Sequence, residues 1–197
     1  LILAAATPPL TGANLSTGSA CVPFTGGTIP VNPSCVGAFA ANAVSARLWQ
    51  TCVLLSNGNV NCYGDAPYIL DGGFGTAIAV SAGYHHTCAL LSTGNVDCYG
   101  LNNFGQAEDY MGGNAIAVSA GGYHTCVLLS TGNVHCYGNG ESGRTMDYIG
   151  GNAIAVSAGA SHTCVLLSTH NVDCYGNNWN GQDADYAGGN AVAVSAG

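Results

Sequence analysis

Lysine is absent from the 197-residue chain, and arginine occurs only at Arg47 and Arg144, against ten acidic residues. At a formal net charge of −8 there is almost nothing to neutralise phosphate, so binding to nucleic acid and to anionic lipid is disfavoured. Charged residues of every kind make up 6% of the sequence, where a soluble surface usually carries roughly 25–35%. The exposed surface must then be mostly Asn, Ser, Thr, Gly and Tyr. Also missing is any apolar run near the roughly 18 residues of a membrane-spanning helix. Leu1-Ile2-Leu3-Ala4-Ala5-Ala6 resembles the tail of a secretion signal but lacks a basic start and is too short; it reads better as an apolar β-strand. No CxxC knuckle and no EF-hand spacing occurs, which leaves no metal site and no cofactor to expect.

What the chain has is repetition. The stretch beginning Val118-Ser119-Ala120-Gly121 returns as Val156-Ser157-Ala158-Gly159, a step of 38 residues, with most differences confined to one loop. Four copies are read, at 44–79, 80–117, 118–155 and 156–193, followed by Val194-Ser195-Ala196-Gly197; residues 1–43 hold the N-terminal strand and a degenerate copy. A chain repeating at this period is an array of one supersecondary unit whose copies bury their apolar faces against one another.

The ten cysteines follow the repeat. Cys52/Cys62, Cys88/Cys98, Cys126/Cys136 and Cys164/Cys174 are each ten apart and bracket a turn such as Ser130-Thr131-Gly132. If Cys126 and Cys136 are directly cross-strand, a three-residue loop remains, with Gly132 where a left-handed conformation is wanted. His170 replaces that glycine in the last copy and tolerates the same region better than most residues. Opposed cysteines on antiparallel strands sit about 4.5–5.5 Å apart at Cα, within reach of a disulfide. Cys21 and Cys35 read as a fifth, degenerate pair around a longer, proline-rich turn. Paired cysteines in every copy imply an oxidising compartment, hence an extracellular protein.

In the third copy Ala115-Ile116-Ala117-Val118-Ser119 is a short β run, 125–129 and 133–137 form a hairpin, and the rest is a Gly-, Asn- and Asp-rich connection. Both faces of the hairpin carry apolar groups, the pattern of a sheet stacked between similar sheets, as in a propeller blade. The run Val-Ser-Ala-Gly-x-x-His-Thr-Cys-x-Leu-Leu-Ser-x-Gly-x-Val-x-Cys-Tyr-Gly, at 80–100 and again at 118–138, resembles the regulator-of-chromosome-condensation repeat family of β-propellers. Gly105-Gln106 and Gly181-Gln182 match that family's Gly-Gln, and Tyr-Gly stands where it often has Trp-Gly. The resemblance implies an all-β propeller whose repeats are offset from its blades, and functions that are mostly docking of proteins. It also implies that the recurring His86, His124 and His162, with Gln50 in the first copy, are structural. Family propellers usually have seven blades, so the expectation is about five blades, or an incomplete ring completed in cis or by another copy through strand addition.

Asp109-Tyr110, Asp147-Tyr148 and Asp185-Tyr186 read as turn formers, with calcium the weaker alternative. Asn14 heads the one N-glycosylation sequon. Catalysis needs unlike groups converging on one point, and the residues that do not repeat (Arg47, Trp49, Glu141, Arg144, Trp179) form no such set, so no catalytic residue and no enzyme is expected. Two functional readings remain. The first is an extracellular structural subunit, a homo-oligomer or polymer joined by strand exchange, such as that of a surface layer or filament. The second is a secreted protein-binding propeller, an enzyme inhibitor or adhesin, using the variable loops around Phe104, Arg144 and Trp179.

Overall fold

The computed structural model describes residues 41–48, 50–64 and 76–197. The expectations placed on Leu1-Ile2-Leu3-Ala4-Ala5-Ala6, Asn14, Cys21 and Cys35 lie outside the described residues. Four antiparallel three-stranded sheets follow one another, each a meander in chain order. Blade 1 is β1 (Ala41–Arg47), β2 (Gln50–Leu55) and β3 (Val60–Gly64); blade 2 is β4 (Ala77–Ala82), β5 (His86–Leu91) and β6 (Val96–Gly100). Blade 3 is β7 (Ala115–Ala120), β8 (His124–Leu129) and β9 (Val134–Gly138); blade 4 is β10 (Ala153–Ala158), β11 (His162–Leu167) and β12 (Val172–Gly176). Among the described residues there is no α-helix, only a 3-10 turn at Glu141–Gly143.

Turn chemistry sets the register. In blade 3 the Leu129 N–H donates to Asn133 O at 2.9 Å and the Gly132 N–H to Leu129 O at 2.9 Å, closing a three-residue loop. Gly132 has φ +75° and His170, its counterpart in blade 4, has φ +62°. That register places Cys126 opposite Cys136 and repeats in every blade. The four disulfides Cys52–Cys62, Cys88–Cys98, Cys126–Cys136 and Cys164–Cys174 form accordingly, with Cα–Cα separations of 4.0–4.1 Å, closer than the sequence-based expectation.

In blades 2, 3 and 4 a fourth, outer strand is reduced to one bridge, Val96 to Tyr110, Val134 to Tyr148 and Val172 to Tyr186. The aspartate just before each tyrosine completes the edge: Asp109, Asp147 and Asp185 accept the backbone N–H of Cys98, Cys136 and Cys174, each at 2.8 Å. These carboxylates stand in for the carbonyls that a longer outer strand would supply.

Blades stack face to face. Cys88, Leu90, Val96 and Cys98 of blade 2 pack against Val118, Val127, Leu129 and Tyr137 of blade 3; the same set recurs between blades 3 and 4, and between blades 1 and 2 Cys52, Leu54, Val60 and Cys62 meet Val80, Ala89 and Leu91. Burying one such side chain contributes about 1.5–3 kcal/mol. A disulfide closing so short a loop contributes about 2–3 kcal/mol, so stacking outweighs the cystines. Among the described residues the row of blades does not close into a ring. Val118 is 1% exposed where blade 2 covers it, while Val44, at the same place in blade 1, is 65% exposed. At the other end residues 191–197 take the position of a fifth inner strand: Ala191 and Val194 pack on the cystine face of blade 4.

Inner strands are tied by serines. Ser45, Ser81, Ser119 and Ser157 each accept through Oγ the backbone N–H of the next blade's alanine, Ala82, Ala120, Ala158 and Ala196, all at 2.9 Å. The strands they join wall a central cavity of about 800 Å³.

Candidate functional site

The two ends of the blades differ in kind. At one end, hairpin turns interlock with the Gly-Gly-Asn connections: Ala115 and Ala153 N–H donate to Gly94 O and Gly132 O, both at 2.9 Å. Sequence here scarcely varies between copies, as expected of a segment whose backbone does the bonding. At the opposite end two loops of blades 2, 3 and 4 meet, joined by the N–H of Leu101, Asn139 and Asn177 donating to the carbonyls of His85, Tyr123 and Ser161 at 2.7–2.9 Å. Side chains here change from copy to copy: Tyr84, Gly122 and Ala160 share one place, His85, Tyr123 and Ser161 the next, and Phe104, Ser142 and Asn180 a third.

The variation concentrates aromatic groups. Tyr123 receives Tyr84 and Phe104 edge to face, at centroid distances of 6.0 and 5.9 Å, with His85 tilted at 6.5 Å. Edge-to-face pairs add about 0.5–1.5 kcal/mol beyond area burial, so the cluster is a fixed surface and not a set of loose rings. Phe104 is 51% exposed and Trp179, on the corresponding loop of blade 4, is 89% exposed. Arg47 lies over the Tyr84 ring at 5.1 Å and donates through Nη1 to Ala158 O at 2.9 Å and Ala120 O at 3.4 Å. One side chain of blade 1 thus reaches the inner strands of blades 3 and 4 across the mouth of the cavity.

Arg144 is placed otherwise than a binding loop would have it. It occupies the slot of Gln106 and is buried, its Nε–H donating to Glu141 O at 2.9 Å and Nη2 to a Glu141 carboxylate oxygen at 3.3 Å. Of the three loop residues singled out in the sequence, Phe104 and Trp179 face solvent and Arg144 shapes the loop from within.

The recurring histidines tie blades together. His86 Nε2 lies 2.8 Å from Thr125 Oγ1, and His124 Nε2 2.9 Å from Thr163 Oγ1. Both hydroxyls donate onward, to Gln106 O and Arg144 O at 2.8 Å, so each must accept from the histidine, which fixes the tautomer with the proton on Nε2. Nδ1 of both rings is buried without a partner. A second proton would have no acceptor there. Burial first, then the nearby Arg47, lowers the His86 pKa to about 4; burial first, then Arg144, lowers that of His124 to about 3. The rings are neutral struts. In blade 1 Gln50 does the same work with its amide, donating to His86 O at 2.7 Å and Gly83 O at 2.9 Å.

Among the described residues no three or more His, Cys, Asp or Glu side chains are gathered for a metal ion. His135 pairs with Asp147 at 3.1 Å on the exposed outer edge. His170 bonds Ala191 O at 2.8 Å. Sequence reasoning missed Tyr84, Tyr123 and the placement of Arg47. The available signal was that Arg47 stands where the other copies have Gly83, Gly121 and Gly159.

Residues 77–106, 115–144 and 153–182 match the Regulator of chromosome condensation (RCC1) repeat. No curated protein sequence matches the chain. Among solved structures it is similar to the ectodomain of the Physcomitrella patens receptor kinase CR4, with TM-score 0.62 and 23% identity over 74% of this chain and 43% of that one. It is similar to the CRINKLY WD40 ectodomain of the Arabidopsis thaliana receptor kinase ACR4, with TM-score 0.58 and 22% identity over 73% of this chain and 51% of that one. Prp20p from Saccharomyces cerevisiae, described with its binding to Gsp1p and histones, gives TM-score 0.63 and 16% identity over 77% of this chain and 46% of that one. The chain spans about half the length of these structures, and at such identities the likeness shows the fold, a propeller of this repeat.

Proposed function

We propose, from the three matches to the Regulator of chromosome condensation (RCC1) repeat, that the chain is a non-enzymatic, extracellular protein-docking propeller whose recognition surface is the variable end of the blades. One observation carries the reading. The repeat keeps its turn end constant and lets its other end vary, and the varied residues assemble an aromatic surface from Tyr84, Tyr123 and Phe104 beside exposed Trp179. Aromatic residues on a rigid scaffold are the commonest anchors of protein interfaces. Four described disulfides support an oxidising, extracellular setting. Two relatives of this fold are receptor ectodomains, and Prp20p is described as binding proteins.

The test uses residues that the repeat itself supplies. Phe104→Ser and Tyr123→Ser put in what Ser142 and Ser161 already are at the same places, so the blades should fold unchanged. Binding of the purified protein to an immobilised panel of secreted proteins and ectodomains should fall at least about tenfold for its best ligand in the double variant. Equal binding by wild type and variant would overturn the reading.

Assembly of copies, first among the sequence-based readings, stands second here. It is favoured by the half-buried Cys174 and the 85% exposed Val192 beside blade 4, where the inner blades are covered. Sedimentation over a hundredfold concentration range checks it: large polymers support assembly and a constant monomer removes it.

A further inference from the structure

We infer that the mouth of the central cavity is a carboxylate-binding site, with Arg47 as its fork and an acidic side chain of a partner protein as its ligand. The inference rests on the docking reading above and names the chemistry of what docks.

The guanidinium is half-fixed and half-free. Nη1 is engaged by Ala158 O at 2.9 Å and Ala120 O at 3.4 Å, and Cζ lies over the Tyr84 ring, 5.1 Å from its centroid. Among the described residues Nε and Nη2 have no acceptor, and Arg47 forms no ion pair, whereas the chain's other arginine is paired with Glu141. The edge left open is the one whose two parallel N–H groups match the two oxygens of a carboxylate. Holding the opposite edge against two carbonyls removes the rotamer freedom that makes an exposed arginine a poor receptor.

The surroundings suit a peptide more than a phosphate. His86 and His124 are neutral at physiological pH and add no second cation. The net charge of −8 opposes a doubly charged anion. Beside the fork lie Tyr84, Tyr123 and Phe104, which offer apolar and edge contacts to the neighbours of an Asp or Glu, and below it opens a cavity of about 800 Å³, within the size range of ligand sites. Arg47 is also the one departure from glycine at its place in the repeat, where Gly83, Gly121 and Gly159 stand in the other blades.

The experiment titrates the ¹⁵N-labelled full chain with acetyl-Ala-Asp-Ala-amide, its Asn counterpart, and inorganic phosphate, following the Arg47 Nε–H and the amides of Tyr84, Ala120 and Ala158. The Asp peptide should move these signals saturably and the Asn peptide should not. Arg47→Lys, which keeps the charge and loses the fork, should weaken binding about tenfold. Arg47→Gly, which restores the residue of the other blades, should abolish it. An unmoved spectrum, an equal response to the Asn peptide, tighter saturation by phosphate, or undiminished binding in Arg47→Gly would each overturn the assignment. If Arg47→Gly still binds the best ligand of the panel while the Phe104/Tyr123 variant does not, docking survives and the carboxylate site falls.

Discussion

A Cβ built on Gly121 would lie 2.4 Å from Cε1 of His124. The same contact recurs at Gly83 with His86, at 2.4 Å, and at Gly159 with His162, at 2.6 Å, so in three blades the histidine ring fills the space a side chain would need. Blade 1 changes both residues together: Arg47 replaces the glycine and Gln50 the histidine. The histidine ring and the arginine fork are therefore alternatives at one place in the repeat, and beside the fork Gln50 keeps the inter-blade bonds. Gly121→Ala should destabilise by about 1–3 kcal/mol, the cost of overpacking a core. Gln50→His should be damaging in the wild type and tolerated in Arg47→Gly, with a coupling of about 1–2 kcal/mol in a double-mutant cycle followed by urea unfolding. Additive effects would remove the relationship.

Thr125 is fully buried and both accepts from His86 and donates to Gln106 O. Thr125→Val keeps the shape and orphans both partners, so it should cost about 2–3 kcal/mol, near the upper end for a lost buried hydrogen bond. Denaturant midpoints compared at constant m-value measure it. A cost under about 0.5 kcal/mol would show that the struts carry no stability.

Acid should weaken the fold within a defined window. An unfolded imidazole protonates near 6.5, whereas His86 and His124 resist down to about 4 and about 3. Between those limits the unfolded chain binds more protons, so stability is complete above 6.5 and declines as pH falls toward 4, by roughly 3 kcal/mol per histidine. Burial, then the neighbouring Asp109 and Asp185, raises the carboxyl pKa of Asp97 and Asp173, which acts in the opposite sense and, at such exposed groups, weakly. Arg47 contributes to the lowered pKa of His86, His124 and His162, so Arg47→Gly should flatten the decline. Thermal melts between pH 7.5 and 4.5 check both sign and slope.

Reduction should proceed in order of cover. Cys52, Cys62, Cys88, Cys98, Cys126 and Cys136 are all at most 6% exposed, beneath a following blade, whereas Cys174 is only partly buried. Limited reduction followed by alkylation and mass spectrometry should therefore label Cys164 and Cys174 before the other described pairs.

The hairpins were legible because every cue lay within eleven residues: the cysteine spacing, the turn glycine of Gly132 and the alternation that gave both faces apolar groups. The outer edge was less so. Asp109, Asp147 and Asp185 read as turn formers, yet each caps the N–H of a cysteine eleven positions earlier, a contact that exists only once the outer bridge forms. Of the aromatic mouth only Phe104 was legible, as a residue of a variable loop. Tyr84, Phe104 and Tyr123 come from three loops of two blades and meet because stacking sets adjacent blades side by side. Arg144 misled for the usual reason: a charged residue in a variable loop suggests exposure, but its slot is that of buried Gln106.

The central claim is that partners are engaged at the variable end and not at the turn end. A photo-crosslinking residue placed at Phe104, and in a second sample at Thr131 on the opposite end, tests it with the best ligand of the secreted panel. The account predicts a discrete adduct from position 104 and none from position 131; adducts from position 131 alone would contradict it.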